Sequence, residues 1–331
     1  MNIGIIGAGL IGNKRAQSIK EIDKDIIVAI ADTDKSKVLE FSKKYNCQGL
    51  DKWQKMVRIN NIDAIVIAVP NKFVAPMAIA ALKQRKHILC EKPFGRNSKE
   101  SRKILETAKR FQRLVKVGFN HRFHPAILKA KKILEADGIG KIIFIRGRYG
   151  HGGRLGMEKE WRTNKDISGG GELLDQGVHI IDLCRYFGGE FKEVFGTVGT
   201  KFWKINVEDN AFVIMKNARI TVQFQTSWTN WKNIFSLEIY GTDGFLQIEG
   251  LGGSYGKEKL IFGKRKKEFG VPIIKEYLFE QDISWQEEWK NFRNAILNKE
   301  EMNGDGTDGL IANQIVEAIY KSSKTKKNIR L

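Results

Sequence analysis

The sequence is poor in cysteine, proline and acid. Its 331 residues include only three cysteines, Cys47, Cys90 and Cys184, and five prolines. The cysteines stand far apart and form no CxxC pair, so neither a zinc ribbon nor a disulfide framework is indicated. No cluster of ligand side chains takes zinc spacing, and no metal is expected. Free thiols fit a reducing compartment, so the expected location is cytoplasmic. No run of 18 apolar residues occurs, so no transmembrane helix is expected. The apolar start Met1–Gly12 lacks the basic n-region of a signal peptide, and none is expected.

The shortage of acid leaves a large surplus of base. Lys+Arg 57 against Asp+Glu 38 gives +19. Such a charge attracts anions: nucleic acid, an acidic membrane surface or phosphorylated small molecules. The basic runs at Lys129–Lys132, Lys264–Lys267 and Lys321–Arg330 carry no RNP motif, zinc-finger spacing or helix-turn-helix pattern. They fall in both halves of the chain, usually beside predicted turns. A solvated lysine-rich surface is the simpler reading, and neither nucleic acid nor membrane is an expected partner.

What is present is a globular composition, 42% hydrophobic and 29% charged, in a chain long enough for about two domains. The first third alternates apolar runs with helical periodicity. Ile3–Ile6, Ile26–Ala31, Ala64–Val69, His87–Cys90 and Leu114–Phe119 read as strands. The helices between them include one with Leu10, Ala16 and Ile19 among its buried positions, one through Val38, Phe41 and Tyr45, and one over about Lys99–Arg110. Strands that are apolar throughout, separated by helices, imply a parallel sheet covered on both faces. After Asn120 the rhythm changes. A helix near Pro125–Ala136, a strand Lys141–Tyr149, a glycine-rich loop over 150–170 and a helix over Gly171–Phe187 precede six strand-like runs between Val194 and Phe262. Two helices, about Ile283–Leu297 and Leu310–Lys321, close the chain. The expected architecture is an α/β Rossmann domain over 1–119, then an α+β domain over 120–331 with a large, mostly antiparallel open sheet.

Gly7-Ala8-Gly9-Leu10-Ile11-Gly12 is a GxGxxG run directly after the first strand and opening a helix. In a dinucleotide site the first glycine makes the tight turn, the second admits pyrophosphate and the third lets helix pack on strand. The helix N-terminus offers N–H groups and positive dipole to phosphate. Asp32 ends the second strand, about 20 residues on, where a carboxylate takes the ribose hydroxyls. It would repel a 2′-phosphate, so NAD is favoured, with NADP admitted by the nearby Lys35 and Lys37.

Pro70-Asn71 follows the third strand, which ends at Val69, and Glu91-Lys92-Pro93 the fourth, both at strand carboxyl ends, where α/β sheets bind ligands. In the second half, Gly169-Gly170-Gly171 precedes a helix on which Asp175 and His179 are i, i+4 and share a face.

At these residues the sequence resembles the Gfo/Idh/MocA oxidoreductase family. The matching pieces are the GxGxxG, Pro70-Asn71, Glu91-Lys92-Pro93, Gly118–Phe123 and the GGGxxxDxGxHxxD run from Gly169 to Asp182, in order and with matching spacing over most of the chain. The resemblance implies a Rossmann domain with a larger open-sheet domain. A substrate lies between them, often a sugar, an inositol or a sugar nucleotide, and the sheet often supports dimers or tetramers. The family's catalytic lysine maps to Lys92, and its helix aspartate and histidine to Asp175 and His179. One departure is Val74, where relatives often carry histidine. Some relatives replace the helix histidine with tyrosine and work as ketoreductases; His179 leans toward alcohol oxidation.

The resulting site assigns Lys92, Asp175 and His179 to catalysis. Gly7, Gly9, Leu10, Ile11, Gly12, Asp32, Val69, Pro70, Asn71, Glu91, Lys92 and Asn120 are assigned to the cofactor. Arg122, Trp161 and Arg162 join Lys92, Asp175 and His179 toward the substrate. His179 would take the hydroxyl proton, and Lys92 would stabilise the developing alkoxide. His87 and Asp182 read as structural, and His151 as a possible ligand contact. Trp228 and Trp231 read as packing at the sheet or a subunit contact. Two other readings share the motifs: NAD-dependent glycosidase chemistry with transient oxidation, and a non-catalytic NAD-binding sensor.

Overall fold

The computed structural model describes residues 1–22 and 24–331. By contacts the chain forms two units: Met1–Phe119 with Trp285–Asn313, and Asn120–Ser284 with Gln314–Leu331.

The first unit is built on six parallel strands in the order β3-β2-β1-β4-β5-β6. They are β1 Asn2–Ile6, β2 Ile26–Ala31, β3 Gln48–Leu50, β4 Ala64–Ile67, β5 His87–Cys90 and β6 Val115–Val117. The helices are α1 Leu10–Lys20, α2 Lys35–Tyr45, α3 Trp53–Val57, α4 Asn71–Lys83 and α5 Ser98–Phe111. All four residues of β4 are buried, as expected for a central parallel strand. Local chemistry sets the helix ends. The Asp34 carboxylate caps α2 by accepting from the Ser36 and Lys37 N–H groups, and Asn46 ends it in the left-handed conformation. Asn97 caps α5 in the same way. The strand order reverses at β1, so the crevice for a ligand opens at the carboxyl ends of β1 and β4.

The second unit contains α6 Pro125–Glu135, β7 Ile142–Gly150, the short α7 Lys165–Ser168 and α8 Val178–Gly188. Strands β8 Glu193–Gly199, β9 Asn210–Lys216, β10 Thr221–Ser227, β11 Ile234–Gly241, β12 Gly244–Glu249, β13 Glu258–Lys264, β14 Ile273–Phe279 and β15 Ile329–Arg330 follow. The nine-stranded sheet has the order β14-β13-β12-β11-β7-β10-β9-β8-β15. Every pair is antiparallel except β7 with β10. Alternate residues of β9 and β10 are buried, Val213, Met215, Val222 and Phe224 among them, while Phe212 and Ile214 face solvent.

Two helices close the chain, α9 Ser284–Asn298 and α10 Gly306–Thr325. The division expected at 119 leaves all of 285–313 in the second domain, but its contacts lie with the first unit. The cause is hydrophobic. Trp289 and Phe292 are fully buried in one cluster with Ile3, Ile5, Ala16 and Ile27, and the Trp289 indole N–H donates to Asp25 at 2.9 Å. Burying each such ring stabilises by roughly 1.5–3 kcal/mol.

Other expectations change in detail. Leu10, read as a core position, is 74% exposed because it sits in the first turn of α1 beside the glycine loop. The loop over 150–170 contains 3₁₀ turns at Met157–Lys159 and Trp161–Thr163 as well as α7. The helix over 171–187 begins as a π-turn, Leu173–Gly177.

Candidate functional site

The glycine loop of the first unit shows three different uses of glycine. Gly7 has φ +106°, and a Cβ there would lie 2.1 Å from the Ala68 carbonyl oxygen. A Cβ on Gly12 would lie 1.8 Å from the Gly7 carbonyl oxygen. A Cβ on Gly9 would meet nothing within 4 Å, so this position is open rather than packed. Gly9 is the N-cap of α1, with no side chain capping the helix and no acid in its first turn. Uncapped N–H groups and an open glycine suit a phosphate. Asp32 is tied to this loop: its Oδ2 accepts the Ala8 N–H at 2.7 Å and its Oδ1 the Asp34 N–H at 3.0 Å. Val69 and Pro70 lead from β4 into α4, with Pro70 at the N-cap and Asn71 buried. The residues present fit a dinucleotide.

Glu91 and Lys92 leave the end of β5, half-buried. The Glu91 carboxylate accepts from Arg15 Nε at 2.6 Å. Arg15, fully buried, also pairs with the fully buried Glu288 of α9. The guanidinium lies 4.4 Å from the Trp285 ring centroid. A Cβ on Gly118 would fall 2.7 Å from Arg15 Nη2 and 2.8 Å from Glu91 Oε2, so the glycine makes room for this network. Burial raises the Glu288 carboxyl above its usual range. The network fixes the residue before Lys92. Neither Arg15 nor Glu288 stands out in the sequence, since neither lies in a motif. His87 is structural: its Nδ1 accepts the Leu114 N–H at 3.1 Å, and burial, with Arg113, lowers its pKa to about 4.

In the second unit the triple glycine is a packing requirement. Glu208 Oε1 accepts the Gly171 and Leu173 N–H groups at 3.0 and 3.2 Å and the Tyr320 hydroxyl at 2.7 Å. A Cβ on Gly171 would lie 2.0 Å from the Glu208 carbonyl oxygen, and one on Gly170 2.2 Å from the Tyr320 hydroxyl. This anchors the π-turn that carries Asp175. Such turns interrupt helices where function re-aims a side chain. Asp175 Oδ2 lies 3.4 Å from Arg162 Nε, and the Arg162 guanidinium stands 4.7 Å from the Trp161 ring centroid. His151 feels the Asp175 charge, although burial dominates and lowers its pKa. Trp161, Arg162, Asp175 and His151 therefore gather in one place.

His179, on the first turn of α8, is buried and stacks on His121, with ring centroids 3.7 Å apart and planes 15° from parallel. His121 Nε2 meets the Tyr149 hydroxyl at 3.1 Å. The Gln176 amide donates to the Tyr255 hydroxyl at 2.6 Å, and the Tyr149 and Tyr255 rings are 5.0 Å apart. Burial raises both phenols, Tyr255 to about 12. Tyr149 and Tyr255 lie in no motif and Gln176 fills an unspecified position of the Gly169–Asp182 run, so none was legible as a site residue. A tyrosine at the end of β7, inside the sheet's buried face, was the one available signal.

Arg122 and Asn120, expected as ligand contacts, also have partners inside the unit. Arg122 places Nε and Nη2 on Asp182 at 2.8 and 2.6 Å, and both residues are buried. Its charge is paired inside the unit with the buried Asp182. The Asn120 amide nitrogen donates to Ser284 Oγ at 3.0 Å and its oxygen faces His121 Nδ1 at 3.2 Å. Trp228 is fully buried against Met157, Val207 and Trp203, whereas Trp231 is 68% exposed. Among the described residues no group of three or more His, Cys, Asp or Glu could hold a metal ion, and no helix is long and apolar enough to cross a membrane.

Residues 1–119 match the family model for the oxidoreductase family with an NAD-binding Rossmann fold, and residues 127–247 match the GFO/IDH/MocA C-terminal domain. The chain belongs to the Gfo/Idh/MocA family of oxidoreductases. This Gfo/Idh/MocA chain is 27% identical to the myo-inositol 2-dehydrogenase of Thermotoga maritima over 360 residues, covering 100% of the chain and 98% of that protein. It is 31% identical to the levoglucosan dehydrogenase of Pseudarthrobacter phenanthrenivorans over 211 residues, which cover 60% of the chain and 54% of that protein. The fold is shared with a solved levoglucosan dehydrogenase in complex with NADH, at a TM-score of 0.91 and 23% identity, covering 100% of this chain and 98% of that one.

Proposed function

We propose that this oxidoreductase oxidises a secondary hydroxyl of a sugar or cyclitol to the ketone with NAD as hydride acceptor. The reading rests on a buried imidazole, His179, set one π-turn after Asp175 among side chains rich in hydroxyl, amide and guanidinium groups. Such a lining suits a ligand with many hydroxyls. Its relatives named for myo-inositol, levoglucosan and D-glucoside support the same substrate class.

Gly7, Gly9, Leu10, Ile11, Gly12, Asp32, Val69, Pro70, Asn71, Glu91, Lys92 and Asn120 are the chain's cofactor set in this reading. When bound, NAD supplies the hydride-accepting carbon. Lys92 donates a hydrogen bond to the carbinol oxygen and stabilises its growing negative charge. His179 removes the hydroxyl proton. The C–H electron pair leaves as hydride, and the oxygen lone pair closes the carbonyl. Asp175 favours the imidazolium that results and, with Arg162 and Trp161, positions the ring of the substrate. Arg162, a third exposed, is the cation that would meet a phosphate or nucleotide carried by the substrate. Exposed Ile143, Phe144, Phe195, Phe212 and Ile214 on the open sheet support a homodimer or tetramer. The free thiols Cys47, Cys90 and Cys184 suit a cytoplasmic setting.

The test is NADH formation against inositols, free sugars and sugar nucleotides. Turnover with one class is expected. Binding of NADH with no turnover across the panel would instead make the chain a ligand sensor.

A further inference from the structure

His121 lies outside every role assigned above, yet it is the ring on which His179 rests. Its hydrogen bonds favour one tautomer of the neutral ring. The Asn120 amide nitrogen is directed at Ser284, which turns the amide oxygen toward His121 Nδ1 at 3.2 Å. An oxygen without a proton needs a donor, so Nδ1 carries the hydrogen. The neutral ring then has its lone pair on Nε2, where the Tyr149 hydroxyl stands at 3.1 Å. Burial, first, and then Tyr255 and the carboxylates of Glu172 and Asp175 hold the Tyr149 phenol protonated. The protonated Tyr149 hydroxyl, which also bonds Tyr255, is placed to donate to that lone pair, and protonating His121 at Nε2 would end the donation in a buried setting.

The geometry points to His121 as a positioning residue: a neutral π-platform, locked by Asn120 and Tyr149, that favours the protonated form of His179 stacked upon it. This deepens the proposed function, because it rests on His179 being the base. A cation over an aromatic face is stabilised by the ring's negative π-cloud, more so when both are shielded from water. At 3.7 Å and 15° the two rings are in contact over their faces. The pair then takes one proton, on His179, and resists a second. Other titratable and charged groups surround the pair: Asp175 and Glu172, which act on the Tyr149 and Tyr255 phenols, the Arg122–Asp182 pair, and His124, edge-on to His121 at 5.4 Å and bonded to Glu258. They remain in place when residue 121 alone is changed.

The test is the titration of His179 in the full chain, followed by NMR of histidine ring carbons. Only five histidines are present, and His179→Asn identifies the signal. His121→Leu removes the π-face and is expected to lower the His179 midpoint by about 0.5–1 pH unit. His121→Phe keeps a π-face and is expected to lower it by less than half as much. An unchanged or raised midpoint in His121→Leu, or equal falls in the two variants, would overturn the inference. Tyr149→Phe keeps the ring packing and tests the lock if His121→Leu fails to fold. His121 should then titrate at higher pH and the His179 midpoint should fall; no change in either would overturn the lock. Turnover separates this inference from the function it rests on. An active His179→Asn enzyme removes the base assignment. An inactive one with an unmoved midpoint in His121→Leu removes only the platform.

Discussion

Replacing Arg15 with methionine should damage the first unit more at high pH than at low pH. Methionine keeps the length of the stem and removes the charge. Arg15 and Glu288 are fully buried, and the Glu91 side chain is 12% exposed. Breaking a buried pair by removing one partner costs about 3–5 kcal/mol, because the other charge stays buried. Here two carboxylates lose the same partner. Against a total stability of about 5–15 kcal/mol, such a loss should leave the variant marginal. The pH dependence follows from Glu288. Burial already raises its folded-state pKa, and Arg15 opposes that rise. Without Arg15 the pKa rises further above the unfolded value, so the folded state holds a proton that the unfolded state has released. The variant's stability is then greatest below the unfolded carboxyl pKa and falls as pH climbs through the raised folded value. Hydrogen exchange of the β1, β4 and β5 amides reads this unit alone. Opening free energies should drop by about 3–5 kcal/mol at pH 8 and by clearly less at pH 5, and adding Glu288→Gln should restore part of the loss. A drop below about 1 kcal/mol, equal at both pH values, would refute the reasoning.

Further expectations concern the glycine loop and its carboxylate. Gly9→Ala should leave the unfolding midpoint near wild type and weaken NADH binding at least tenfold, since its Cβ meets no protein atom. Gly12→Ala should lose both binding and about 1–3 kcal/mol of stability, because its Cβ collides with backbone; calorimetry and thermal melts distinguish the two. Asp32→Ser should raise the ratio of NADP to NAD use in initial-rate assays, and an unchanged ratio would remove Asp32 from the ribose site.

Much of the first unit was legible because its strands are nearly continuous apolar runs and its turn is a glycine fingerprint. Residues 26–31 and 64–67 could hardly be anything but buried strands. Other elements left little trace. Strand β3 is three residues long with two exposed, and β14 exposes or half-exposes every residue, so neither shows the alternation of a packed strand. The place of α9 depends on Trp289 and Phe292 meeting Ile3 and Ile27, contacts that span most of the chain. The candidate site divides in the same way. Asp175 and His179 lie in one motif, and Arg162, in the loop before it, stands beside both Asp175 and Trp161. Tyr149, His121 and Tyr255 come from three separated segments that meet only in the fold. The Arg122 ion pair was equally invisible, since its partner Asp182 lies 60 residues away.

The most direct test of the account follows deuterium from a substrate identified by the NADH screen, labelled at the carbinol carbon, into the nicotinamide ring. The wild-type enzyme should form deuterated NADH in proportion to ketone. Lys92→Met and His179→Asn should each slow this by about 10²–10⁴-fold while still binding NADH. Ketone formed without deuterium in the cofactor, or near-normal transfer in both variants, would contradict it.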